Sequence, residues 1–296
     1  MTQNYIDSLF DRFLSPETKE KSEKVIVYIA IFSFLIHLFI IFLVDFGYIK
    51  PSDFAGLLKN PMVAIYTPFS FILLYEAYLL VYYLPKSTTK YIGKQYEIIT
   101  LIIVRRIFKD LYKIKFTDNW FSNKEDVLFT LDIVAVLILF YLIYVFYKIV
   151  EVKSEVNLSI EVIKFVRLKK IIATFLVPIF LVLAVYNFSS WIYESFFSID
   201  LTAVSIKNTN KIFFDEFFTI LILIDVLLLL FSLLHTDKFS QVIRNSGFII
   251  STILIKLSFN IEGISNIIIT VFAVLLGVVI LYIHNKYEKI NVPVIK

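Results

Sequence analysis

Six stretches of this chain are each twenty or more residues long and almost free of charge: Val25 to Phe46, Met62 to Leu84, Val127 to Tyr147, Ile171 to Tyr193, Phe213 to Leu234 and Ile264 to Ile283. About 20 apolar residues are what an α-helix needs to cross the hydrocarbon core of a bilayer, and the helix pairs every backbone group internally, as lipid requires. The chain is therefore expected to be all-α, a polytopic integral membrane helical bundle. Composition agrees, with 59% of 296 residues hydrophobic and 18% charged, where soluble domains carry roughly a quarter charged residues.

Two weaker segments set the span count: Tyr96 to about Phe116, which contains Arg105 and Arg106, and Phe248 to Phe259, which contains Lys256. If both cross, 18 of the 29 lysines and arginines fall on the side of the two termini and 7 on the other. Arg105, Arg106, Lys109 and Lys256 are then left inside helices. If the Tyr96 segment lay on the surface instead, the basic loop from Lys148 to Lys170 would move outside, against the positive-inside bias. The sequence thus predicts seven or eight transmembrane helices, eight by the charge count, with both termini cytoplasmic.

The implied organisation is a cytoplasmic tail (1–24), a four-helix membrane bundle (25–147), a cytoplasmic amphipathic linker helix (148–170), a second membrane helix group (171–285) and a C-terminal tail (286–296). The N-terminal tail holds one candidate short helix, NYIDSLFDRFL. A mixed-charge tail precedes the first span and no small-residue cleavage site follows it, so that span is expected to be retained and not removed as a signal peptide. An excess of Ile, Phe, Lys, Tyr and Asn suits an A+T-rich bacterial genome, which points to the bacterial inner membrane.

Charges inside spans are costly, so each requires a partner or a task. Counted from Gln95 as the membrane boundary, Arg105 lies roughly 15 Å deep, and Glu76, counted back from Pro85, roughly 14 Å deep on the preceding antiparallel helix. Glu76 and Arg105 are accordingly expected to pair. Arg106 has Asp110 four residues on, and its loss is expected to be mild. Asp132 lies one to two turns inside its helix, His37 is central in FLIHLFI, and Asp225 is flanked by aliphatic residues in LILIDVLLLL. Glu76, Arg105, Arg106, Asp132, Asp225 and His37 form the candidate intramembrane polar set. In the 148–170 segment, Lys164, Arg167, Lys169 and Lys170 are expected at the membrane surface against anionic lipid headgroups.

Other chemistry finds little support. The chain has no cysteine, which removes disulfides, thiolate metal sites and thiol nucleophiles. No phosphate-binding loop, metalloprotease, nucleophile-elbow or dinucleotide motif occurs, and His37, His235 and His284 fall on separate segments. No cofactor is expected. The lysines are spread over loops, which gives no reason to expect nucleic acid. A protein partner or second copy would meet the cytoplasmic face.

The run YEAYLLVYYLPKSTTKYIGKQYEIITLIIVRRI, within residues 70–110, resembles the join between the second and third helices of voltage-sensor-like domains. In that family an acidic residue, an aromatic and leucine stretch, a basic loop and an isoleucine-rich segment follow in this order. The resemblance implies that Glu76 faces a basic residue inside a four-helix bundle. Thr100 stands where the third-helix acid belongs, Leu73 replaces an aromatic, and the fourth span lacks repeated arginines, so voltage sensing is not implied. Three functions are compatible with these features: a channel- or transporter-like protein with a polar intramembrane site, a membrane-anchored subunit or effector of a larger complex, and an integral membrane enzyme acting on lipid.

Overall fold

The computed structural model describes residues 2–48, 61–111, 123–150, 160–196, 209–234, 239–261 and 263–290. Among these are α1 (Thr2–Leu14), α2 (Pro16–Asp45), a 3₁₀ turn (Pro61–Ile65), α3 (Tyr66–Tyr83), α4 (Thr88–Asp110), α5 (Lys124–Val150), α6 (Ile160–Phe196), α7 (Thr209–Leu233), α8 (Phe239–Phe259) and α9 (Ile264–Ile290). The described residues contain no strand.

Local chemistry sets the helix starts. Ser15 caps α2, accepting from the Thr18 amide at 3.1 Å, with Pro16 at the first helical position. Ser87 caps α4 in the same way, accepting from the Lys90 amide at 3.3 Å. Helix α4 therefore begins well before Tyr96. The predicted N-terminal helix forms as α1. It docks on the bundle by burying Leu14, by a bond from the Tyr78 hydroxyl to the Phe13 carbonyl (2.9 Å), and by the Lys170 ammonium over the Phe10 ring.

Cross-helix contacts fix the direction of each helix. At one end of the bundle, here the near end, early α2 meets late α3 (Glu23 with Tyr75) and the start of α4 meets early α6 (Thr88 with Lys169). There too the end of α5 meets the end of α9 (Ile149 with Asn285), and late α7 meets early α8 (Ser232 with Asn245). At the far end late α2 meets early α3 (His37 with Thr67), and late α4 meets early α5 and early α9 through Arg106. Helices α2 to α9 thus alternate in direction. Among the described residues, six helices are long and apolar enough to cross a membrane: those spanning Asp7–Asp45, Lys124–Val150, Ile163–Tyr186, Glu216–Leu233, Phe239–Phe259 and Ile264–Ile290. Helices α3 and α4 are outside that group; α4 carries Lys90, Lys94, Glu97, Arg105, Arg106, Lys109 and Asp110. Large apolar side chains such as Phe32, Phe39, Phe140, Phe175, Leu223 and Phe272 cover the outer surface, as a lipid-facing protein requires.

The segment expected as a separate linker helix is organised otherwise. Residues 160–170 belong to α6, one continuous helix into which Pro178 is built, and 151–159 lie outside the described residues. Glycines allow close approach on two faces: a side chain on Gly247 of α8 would strike Ile280 of α9, and one on Gly277 of α9 would strike the Tyr96 hydroxyl of α4. Gly263, with φ of 79°, makes the turn between α8 and α9.

Candidate intramembrane polar site

Two polar layers cross the bundle, and α4 contributes to both. The far layer is built on Arg106. Its Nε donates to Asp132 Oδ2 at 2.8 Å, one terminal nitrogen to Asp132 Oδ1 at 2.5 Å, and the other to Asn266 Oδ1 at 2.7 Å. Asn266 Nδ2 in turn donates to the Ser258 carbonyl at 2.6 Å, and the Thr270 hydroxyl bonds Ser258 Oγ at 2.9 Å. One guanidinium fork thereby joins α4, α5 and α9, and Asn266 extends the tie to α8. Bidentate pairing of this kind uses the planar fork that lysine lacks.

The near layer surrounds Asp225. Counted back from Leu233, Asp225 lies about 12 Å from the near end of α7, and Gln95 lies about 10 Å from the start of α4. At this matched depth Gln95 Nε2 donates to Asp225 Oδ2 at 3.2 Å. A cavity of about 30 Å³ lies beside the carboxylate, lined by Thr88, Tyr91, Phe165, Lys169, Asp225, Ser232, Asn245 and Phe248 among others. That is room for about two water molecules. Lys169, only 4% exposed, reaches in from α6 and is held by Thr88 Oγ1 (3.1 Å) and the Lys86 carbonyl (3.4 Å). It forms no direct ion pair with Asp225, which is 7% exposed. The hydroxyl of Tyr91 lies against Asp225 and Gln95 without completing a hydrogen bond of good geometry, and Oε1 of Gln95 is buried without one. Unpaired buried polar atoms of this kind each cost about 1–3 kcal/mol.

Between the layers the α4, α8 and α9 seam is polar but closed. The Tyr96 hydroxyl bonds Ser251 Oγ at 2.8 Å, Ser251 donates to the Ala273 carbonyl at 2.6 Å, and Thr100 donates to the Tyr96 carbonyl at 3.0 Å.

Set against the expected polar set, the structure keeps the residues and changes several partners. Glu76 and Arg105 are both buried but form no direct ion pair, and Glu76 Oε2 completes no hydrogen bond. The Arg105 charge still acts on the Glu76 carboxyl without direct contact. Arg105 retains other interactions. Arg106 pairs with Asp132 across the bundle, and Asp132 is buried. His37 stands apart from both layers, its Nδ1 at 2.6 Å from Thr67 Oγ1. Lys164 and Arg167 are exposed, whereas Lys169 is buried and Lys170 covers Phe10.

Several participants carried little sequence signal. A span counted from Gln95 leaves Tyr91 outside it and Gln95 at its edge, so neither stands out until the start of α4 is known. Asp126, in the first turn of α5, is 0% exposed and neither carboxylate oxygen has a hydrogen-bond partner; in sequence it looks like an ordinary acid favoured by the helix dipole. No protein-family model, curated protein or solved structure matches the chain.

Proposed function

We propose that this multi-pass membrane protein is transporter- or channel-like and conducts protons or small cations through a site centred on Asp225. One observation carries this reading: a buried carboxylate, not tied into an ion pair, borders a water-sized cavity with a buried ammonium and a buried phenol. A purely structural carboxylate would be expected in the closed geometry of Asp132, with its oxygens bound by a guanidinium. The contrast between the two layers assigns them different roles: the Arg106 layer holds helices together, and the Asp225 layer exchanges a ligand. In proteoliposomes the wild-type chain is expected to dissipate an imposed proton or cation gradient faster than protein-free vesicles. Equal rates would remove the reading.

A second reading, an anchored subunit of a complex, is favoured by the closed polar seam between the layers. A stoichiometric partner retained through purification, with no flux, would select it.

The topology belongs to the same proposal. Helices α2 to α9 supply eight alternating passes, α3 and α4 included, with the near end cytoplasmic because the basic residues concentrate there. Reporter fusions at Lys90, Asn157 and Lys286 are expected to register cytoplasmic, and those at Asp53, Lys124 and Asn208 external. An external signal at Asn157 would contradict the eight-pass arrangement.

A further inference from the structure

We infer that the cavity beside Asp225 binds a monovalent alkali cation, and that the Lys169 ammonium is the built-in competitor for that ion. This rests on Asp225 being the working site and adds the identity of its ligand.

The cavity presents oxygen from several directions. Asp225 supplies the carboxylate, the buried Tyr91 a hydroxyl beside it, and Ser232 and Thr88 further hydroxyls. Gln95 holds the carboxylate through its amide nitrogen. Oxygen donors suit hard cations, and a site needs its ligands on more than one element to close around an ion; these come from α4 and α7. The charge count selects the valence. Asp225 is the lone carboxylate among the lining residues and Lys169 is already present, whereas divalent sites gather several carboxylates. The volume of about 30 Å³ accepts a bare alkali ion with a water and excludes an organic cation.

Lys169 gives the site its second property. Its ammonium is held by Thr88 and the Lys86 carbonyl, away from direct contact with Asp225 but on the same cavity. A fixed positive charge there repels an incoming cation and is itself attracted by the carboxylate when no ion is bound. Ion entry and ammonium withdrawal are thereby coupled, and removing the ammonium should tighten binding.

The test uses purified full-length protein in detergent, with the unfolding temperature followed in lithium, sodium and potassium chloride against N-methylglucamine chloride at constant ionic strength. Wild type is expected to be stabilised by one or two alkali ions in a saturable way. Lys169→Met, with Lys169→Gln as the alternative should the first fail to fold, is expected to lower the half-saturating concentration about tenfold, as loss of a like charge a few ångströms away implies. Asp225→Asn should abolish the ion-specific response and Tyr91→Phe should weaken it. Identical curves in all salts for wild type and the Lys169 variant, or an undiminished response in Asp225→Asn, would overturn the inference. Proton flux without any alkali response would overturn it while leaving the proposed function standing. Alkali-specific stabilisation without flux would support the ion site and contradict transport.

Discussion

Arg106→Leu is expected to destabilise the folded bundle by about 3–5 kcal/mol, the cost of leaving one member of a buried ion pair without its partner. Asp132 is buried, and both its oxygens are taken by Arg106, so the leucine variant leaves a carboxylate that must become neutral or draw in water. Asn266 loses its guanidinium contact at the same time, loosening the tie to Ser258. The double change Arg106→Leu with Asp132→Leu should recover much of the loss, because two apolar side chains replace two charges of opposite sign. A thermal or denaturant double-mutant cycle should give a coupling energy above about 1 kcal/mol for this pair and a smaller one for Arg105 with Glu76, which act on each other without a direct ion pair. Additivity at Arg106 and Asp132 would show that the far layer does not hold the helices.

The second large effect is expected at Gly277. A methyl there would collide with the Tyr96 hydroxyl, and that hydroxyl has nowhere to retreat without giving up Ser251, which is itself bonded to the Ala273 carbonyl. Strain from an added group in a packed interior and one lost hydrogen bond together place Gly277→Ala at about 2–4 kcal/mol. Tyr96→Phe on top of Gly277→Ala removes the nearest clashing atom and should restore part of the stability, although the ring carbons remain close. The single and double variants can be ranked by melting temperature in detergent. An unperturbed Gly277→Ala protein would mean that α4 and α9 do not approach as described.

These two sites also mark what the sequence could convey. Long apolar runs announce helices because lipid imposes a length and a composition at once, so the apolar middles of α2, α5, α6, α7 and α9 are legible while their polar ends are not. The short helix α1 and the isolated Asp225 were legible for the same reason: each stands out against its surroundings. Partner choice was not. It depends on where α4 starts, and the Ser87 cap moves that start toward the chain terminus relative to an estimate from hydropathy alone. Arg105 and Arg106 are one residue apart, about 100° around the helix, so one turns toward α3 and the other toward α5 and α9; spacing to Asp110 gave no hint of Asp132. Lys169 read as one more basic residue in a surface segment, since nothing local tells a lysine that snorkels outward from one that is held inside by Thr88 and a carbonyl. Gly277 carried no signal at all, because its neighbour Tyr96 lies 181 residues earlier in the chain.

The most direct measurement of the central claim is flux through proteoliposomes containing wild type or Asp225→Asn, reconstituted at equal density. Asparagine matches the size of the carboxyl group and keeps an oxygen for the Gln95 amide, so the fold should persist, as an unchanged elution profile would verify. The site described here predicts that flux falls to the level of protein-free vesicles in Asp225→Asn, whereas undiminished flux from a well-folded Asp225→Asn protein would contradict it.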